Sequence, residues 1–511
     1  MARPPPHRPD TGLYSLGWKR SPADPVVLSG QLSGAMLLEA LATLDGQGLL
    51  RCSGEHAVTG AFHSFPSLTL RFTFTGDLMD YPSVHRLSSE MQRHLHGQPQ
   101  LARTFAQCFP NTLETTVRLL DDGTSFVFTG DIPAMWLRDS SAQVSPYLPL
   151  ARHDPDLRRL ISGLIRRQAG YLATDPYANA FNAQPDGSGH TGDLPPQGSW
   201  VWERKFELDS LCYPVSLLWR YWQATDDRSV FTPGVVRMLD IVLGVMRTEQ
   251  RHETSPYRFE RPDPLLPSDT LPRGGRGSPV GFTGMVWSGF RPSDDACTYG
   301  YLLPANMFAV VVLGQLAQMA KEVLDDQELA TRALTLQAEI ERGIQTHGVV
   351  EHSTYGRMYA YETDGLGHHL LMDDANVPSL LSIPYLGYRP ADDPIYRNTR
   401  RFVLSPDNPY FFQGRQAAGV GSPHTPGGLI WPIALAMQGL TSTDPQEQSR
   451  LLDTLCATTG GTDYMHESFH PDAPTHFTRP WFAWANSLFA EFVLHVKGRN
   501  LIPDAHAGRA L

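Results

Sequence analysis

The sequence predicts a predominantly helical fold, a ring of helices whose loops gather at one end. Helical periodicity recurs along the chain, hardly a strand pattern follows residue 130, and six long loops rich in aromatic and polar residues alternate with the helices. Asp156 to Tyr171 shows the helical signal well: Leu157, Leu160, Ile161, Leu164 and Ile165 fall at three- and four-residue spacing, with arginines on the other side. The same reading gives helices over Leu211 to Trp222, Val235 to Met246, Asn306 to Leu324, Leu329 to Ile344, Ile430 to Leu440 and Arg479 to Val496, where Pro480 suits a first-turn position. The intervening loops are Gly130 to Ser141, Trp200 to Asp209, Gly284 to Tyr301, Tyr359 to Pro378, Asn408 to Pro426 and Tyr464 to Thr478. Loops this long in a compact domain commonly carry function.

The first 80 residues differ in character and form an N-terminal extension, with the main domain over 81–511. Val26 to Leu50 mixes apolar residues with glycines and lacks a clean helical face. Ser67 to Thr75 alternates as a strand does, Leu68, Leu70, Phe72 and Phe74 sharing one side. The 511 residues carry 42 Lys plus Arg against 53 Asp plus Glu, a formal charge of −11, without basic blocks. That balance argues against nucleic acid or an anionic membrane as a partner, since both need a positive surface. The five cysteines, Cys52, Cys108, Cys212, Cys297 and Cys456, are widely spaced and form neither a zinc nor a redox motif. Arg3 and Arg8 are interrupted by Pro4, Pro5 and Pro6, and no apolar run follows. A soluble, cytoplasmic protein is therefore expected, with no secretory signal and no membrane span.

Trp, Tyr and Phe crowd into the six loops beside carboxylates, Arg, Asn and His. Pyranose faces stack on aromatic rings and sugar hydroxyls pair with carboxylates and guanidinium groups, so the mixture fits a carbohydrate cleft; loop anchoring by tryptophan is the alternative for any single residue. Two loops offer carboxylates for paired acid and base work. Asp294 and Asp295 follow an Arg-Pro turn and precede an apolar helix, which one of them is expected to cap while the other faces a cleft. Glu467 stands alone between His466 and Ser468 in an otherwise uncharged stretch.

Six blocks resemble glycoside hydrolase family 125: GDIPAMWLRDSSAQVSPYL (130–148), KFELDSLCYP (205–214), GMVWSGFRPSDDACTYGYLLPANMFAVVVL (284–313), LMDDANVPSLLSIPYLGY (371–388), NPYFFQGRQAAGVGSPHTP (408–426) and MHESFHPDAPTHFTRPWFAWANSLFAE (465–491). The similarity runs in order from about Tyr81 to Val496. It implies an (α/α)6 toroid and an exo-acting, inverting, metal-independent α-1,6-mannosidase that needs no cofactor and acts on an α-mannoside oligosaccharide or glycan. The general base then falls on Glu467. The general acid falls in the Ser293-Asp294-Asp295 block, with Asp294 preferred by position and Asp295 the alternative. Asp131, Trp136, Arg138 and Asp139 are implied to grip the terminal mannose, although an adjacent Arg-Asp pair is also a common structural ion pair. His424 is implied to bond a hydroxyl, against a purely structural role in orienting its loop. Asp373, Asp374 and His424 are the one set from which a metal site could be assembled, but they lack ligand spacing. Competing readings are another toroid enzyme, such as an α-glucosidase or a lyase, and a non-catalytic carbohydrate-binding protein. Two intact carboxylate loops weigh against a lyase, which typically works through Tyr or His.

Overall fold

The computed structural model describes residues 81–498 and 501, with Val26–Leu28 and Leu70–Phe72. Twelve α-helices of eight or more residues occur among the described residues: α1 (Pro82–His94), α2 (Pro99–Thr115), α3 (Leu137–Val144), α4 (Pro155–Thr174), α5 (Leu208–Thr225), α6 (Pro233–Glu249), α7 (Leu303–Glu322), α8 (Gln327–His347), α9 (Pro394–Val403), α10 (Pro432–Leu440), α11 (Pro445–Ala457) and α12 (Ala483–Val493). From α2 onward the chain alternates between an outer and an inner position. Inner helices α5, α7, α10 and α12 are buried nearly all round, whereas outer helices such as α4 and α8 bury one stripe. Neighbouring inner helices pack side by side, α3 on α5, α5 on α7, α10 on α12 and α12 back on α3. The fold is an (α/α)6 toroid.

One inner position is not a helix. Between α8 and α9 the chain forms a run of turns over 379–387, in which Pro384 lacks the amide needed to continue a helix. The buried Asp373 carboxylate accepts from the amides of Leu380 and Leu381 at 2.8 and 3.0 Å and anchors this run. Tyr385 ties it to α12 through Glu491.

The outer helices have local start signals. Asp154, Asp326, Asp393, Asp444 and Thr232 each accept a free first-turn amide of α4, α8, α9, α11 or α6, and in all but α8 a proline follows. Inner helices α3, α5, α7, α10 and α12 have Trp136, Glu207, Leu302, Trp431 and Phe482 at the capping position, none with a side-chain cap. This explains two departures from expectation. The last helix starts at Ala483, so Arg479 and Pro480 lie in the loop before it, and α3 occupies the second half of the segment expected to be a loop to Ser141.

Strands are also more frequent after residue 130 than the pattern suggests. Met135–Trp136, Ala180–Phe181 and Val201–Glu203 form a three-stranded sheet, and hairpins pair Val349–His352 with Gly356–Tyr359, Phe411–Gln413 with Ala418–Val420, and Ser468–His470 with Ala473–Thr478. Runs of two to six residues are too short for a period of two to stand out. α7 is long and apolar enough to cross a membrane by length and composition, and most of it is buried within the ring.

The chain divides into two compact units, Met1–Met79 and Asp80–Leu511. In the first, Val26–Leu28 pairs antiparallel with Leu70–Phe72, the latter inside the run expected to be a strand. The remainder of Val26 to Leu50 lies outside the described residues.

Candidate active site

Because the inner helices start without side-chain caps, their N-termini are closed by the loops that precede them, and those loops enclose a pocket. Its volume is about 210 Å³, below the roughly 300–1,000 Å³ of sites for drug-sized ligands. Trp136, Trp431 and Phe482, at the starts of α3, α10 and α12, supply aromatic walls, with Trp484 behind them. Asp294 and Glu467, from separate loops, both line this one pocket.

Asp294 sits in a tight turn in which its amide donates to the Arg291 carbonyl at 2.9 Å and the Arg291 amide donates to the Asp295 carbonyl at 2.8 Å. Its φ is 67°, the left-handed region that Asp tolerates better than most residues. The two neighbouring acids lie in different surroundings. The Asp294 side chain is 23% exposed and faces the pocket. Asp295 is fully buried, 3.6 Å from His424 Nδ1, and does not line the pocket. Neither acid caps the following helix: α7 begins only at Leu303.

On the other side, Glu467 Oε2 accepts from Thr478 Oγ1 at 2.9 Å, and Oε1 lies 3.5 Å from Arg479 Nη1. Arg479 in turn donates from Nε to Asp131 at 2.9 Å. Asp131 is thus committed to an ion pair and is absent from the pocket lining, contrary to the expectation that it grips the ligand. Trp136 reaches the pocket, and its indole N–H donates to Asp294 Oδ1 at 3.3 Å. Its position therefore serves the acid as well as the wall.

Arg138 faces four carboxylates: Asp139 at 3.3 Å, Glu207 at 2.6 Å, Asp209 at 3.4 Å and Asp294 at 3.8 Å. One guanidinium cannot balance four ionised carboxylates out of water, so the cluster retains protons. Burial raises Asp139, and it raises Asp209 to about 6 despite Arg138. Burial also lifts Glu207 well above the ordinary range, reinforced by the charges of Asp294 and Asp209. Asp294 moves the other way: burial opposes its charge, but Arg138, a hydrogen bond from Glu207 and the Lys205 ammonium hold it below the usual carboxylate range. Glu207 and Asp294 titrate as a pair that shares one proton. Glu207 is wholly enclosed and Asp294 still meets solvent, so burial favours the neutral form of Glu207 over that of Asp294. One Asp139 oxygen, Oδ2, is buried 3.3 Å from Arg138 Nε, an ion-pair contact rather than a hydrogen bond.

The family model described as metal-independent α-mannosidase (GH125) matches residues 98–494. This chain belongs to glycoside hydrolase family 125. It is 41% identical over 439 residues to the meiotically up-regulated gene 157 protein of Schizosaccharomyces pombe, covering 82% of this chain and 86% of that one. A Streptococcus pneumoniae metal-independent α-mannosidase, solved as a non-productive complex with α-1,6-mannobiose, is 47% identical with a TM-score of 0.81, over 82% of this chain and 100% of that one. A further glycosidase shares the fold alone, at 14% identity and TM-score 0.51 over 81% of this chain and 99% of that one. The chain is a metal-independent α-mannosidase.

Asp373, Asp374 and His424 are each engaged by other groups of the protein. Asp373 spends both oxygens on backbone amides, and burial raises it to about 8; Asp374 accepts from Ser293 Oγ at 2.7 Å. Among the described residues no group of three or more His, Cys, Asp or Glu is arranged to hold a metal. Exhaustive dialysis of the mannosidase against a chelator is expected to leave its rate unchanged; loss restored by one divalent cation would contradict this.

Several site residues carried no local signal. Asn179 donates to Glu203, Glu207 and Asp294 at 3.1, 3.4 and 3.1 Å, and nothing in the sequence around it marks it. Glu207 and Asp209 belong to a block quoted for the family resemblance, yet only their position at the uncapped start of α5 marks them as site residues. Arg479 was placed in a helix.

His424 lines the pocket with its ring near Trp431. Burial works against its charge, but Asp295 and then Asp294 outweigh burial and lift it from 6.5 to about 9. A histidine raised in the folded state gives stability that is complete below the unfolded value and lost as pH rises through the folded one. Thermal stability of the α-mannosidase is therefore expected to decline between pH 6.5 and about 9, and His424→Gln to flatten that decline. Parallel melting curves with equal slopes in both proteins over this window would refute the assignment.

Proposed function

We propose that the chain is an exo-acting α-mannosidase that removes terminal, non-reducing α-1,6-linked mannose with inversion, using Asp294 as general acid and Glu467 as general base. The observation that carries this reading is the convergence of Asp294 and Glu467, from loops far apart in sequence, on one small pocket with aromatic walls. The volume suits a single terminal sugar, and the Streptococcus pneumoniae relative was solved with α-1,6-mannobiose.

In the reaction, Asp294 gives a proton to the glycosidic oxygen as the bond from C1 breaks. Water attacks C1 from the opposite face while Glu467 takes its proton. Inversion needs the two carboxyls roughly 6.5–9.5 Å apart, so that water fits between base and sugar. Thr478 and Arg479 orient the base, and Trp136 and Asn179 orient the acid.

The deciding experiment offers the protein α-1,2-, α-1,3- and α-1,6-linked mannobiose and follows the first product by proton NMR before mutarotation. Cleavage of the α-1,6 isomer with initial β-mannose is expected. Initial α-mannose would require a covalent intermediate and a closer pair of carboxyls, and preferred cleavage of another isomer would overturn the linkage.

A further inference from the structure

Asp294 poses a chemical problem as an acid. Arg138, Lys205 and His424 all favour its ionised form, whereas a general acid must enter the reaction protonated. Its environment contains a second carboxyl that solves the problem. Glu207, at the start of α5, is fully buried; its Oε2 accepts from Arg138 Nη1 at 2.6 Å and from Ser210 Oγ at 2.9 Å. Asn179 Nδ2, from the loop after α4, bridges Glu207 Oε1 and Asp294 Oδ1. The charged groups around the pair come from every neighbouring element: Arg138 and Asp139 on α3, Asp209 on α5, Glu203 and Lys205 before α5, and His424 from the loop preceding α10.

We propose that Glu207 is the proton reservoir of the acid, a positioning residue that passes its proton to Asp294 when a sugar fills the pocket. This rests on the assignment of Asp294 as acid. The driving force is differential desolvation. Asp294 is partly exposed in the empty site, so covering it with substrate removes water from its charge and raises its affinity for a proton. Glu207 is already enclosed and keeps its contacts with Arg138 and Ser210, so its ionised form costs little more with substrate than without. The proton therefore shifts from Glu207 to Asp294 as substrate binds and from Asp294 to the glycosidic oxygen as the bond breaks, leaving both carboxyls ionised. Glu467 meanwhile gains one proton from the attacking water. After product leaves, Glu467 releases that proton to solvent and the pair takes one up, so the cycle closes without a co-reactant.

The test is the pH profile of kcat/KM on α-1,6-mannobiose and on an aryl α-mannoside with a good leaving group. Glu207→Gln keeps the shape but cannot hold the proton, and its amide donates to the Asp294 carboxylate. The alkaline limb is expected to move down by about one pH unit or more, with a loss of about 10²–10⁴-fold on mannobiose and a much smaller one on the aryl substrate. Ser210→Ala removes a donor to the ionised Glu207 and preserves the rest. It should move the alkaline limb up, with a several-fold loss on mannobiose, and it remains informative if Glu207→Gln fails to fold. Equal losses on both substrates with unmoved limbs, or a downward shift in Ser210→Ala, would overturn the proposal. A separate failure is distinguishable: if Asp294→Asn keeps its rate on mannobiose, the acid assignment itself falls and takes the reservoir with it.

Discussion

Glu467→Gln is expected to lower hydrolysis of α-1,6-mannobiose by about 10²–10⁴-fold, the usual contribution of a general base. The substitution preserves the acceptor for Thr478 Oγ1, now 2.9 Å from Oε2, and weakens only the contact with Arg479, so the loop keeps its form. What disappears is the capacity to take a proton from water. Binding of mannose, measured by calorimetry, should therefore persist while kcat collapses. An activated leaving group should not rescue the variant, because attack by water is impaired whichever group departs. Activity within tenfold of the parent protein would remove Glu467 from the role of base.

Asp294→Asn is expected to lower the rate on mannobiose comparably, by about 10²–10⁴-fold, yet to cost much less on an aryl mannoside whose leaving group needs little protonation. The contrast between substrates separates an acid from a residue that merely holds the site together. Asp295→Asn is the control given by the structure. Asp295 is buried away from the pocket and paired with His424, so its loss should lower stability and weaken the hold on the histidine proton while leaving the dependence on leaving group as it was. The reverse outcome, with Asp295→Asn carrying the leaving-group effect, would move the acid by one residue.

The preference for Asp294 over Asp295 came from family resemblance; in the structure Asp294, at a left-handed φ, lines the pocket, whereas Asp295 is buried against His424. No propensity scale reports such a turn. The outer helices were legible because Asp-Pro and Thr-Pro starts and apolar stripes are local. The inner helices were harder. α12 is buried nearly all round and begins at Ala483 without a side-chain cap from Phe482, so neither periodicity nor a capping rule marks its start, and the expected boundary fell at Arg479. The same error hid Arg479 as a partner of Glu467.

By itself, then, the sequence determined the helical class, the order of helices and loops, the family, and the two loops that carry Asp294 and Glu467, because each is written in local periodicity or in contiguous blocks. Only the tertiary structure decided which charges meet. Arg138 collects Glu207 and Asp209 from one stretch and Asp294 from another, and Arg479 ties Asp131 to Glu467 across the closure of the ring. A proton's location depends on burial and on the distances among these groups, and ring closure sets both by bringing together the N-terminal ends of helices remote in sequence.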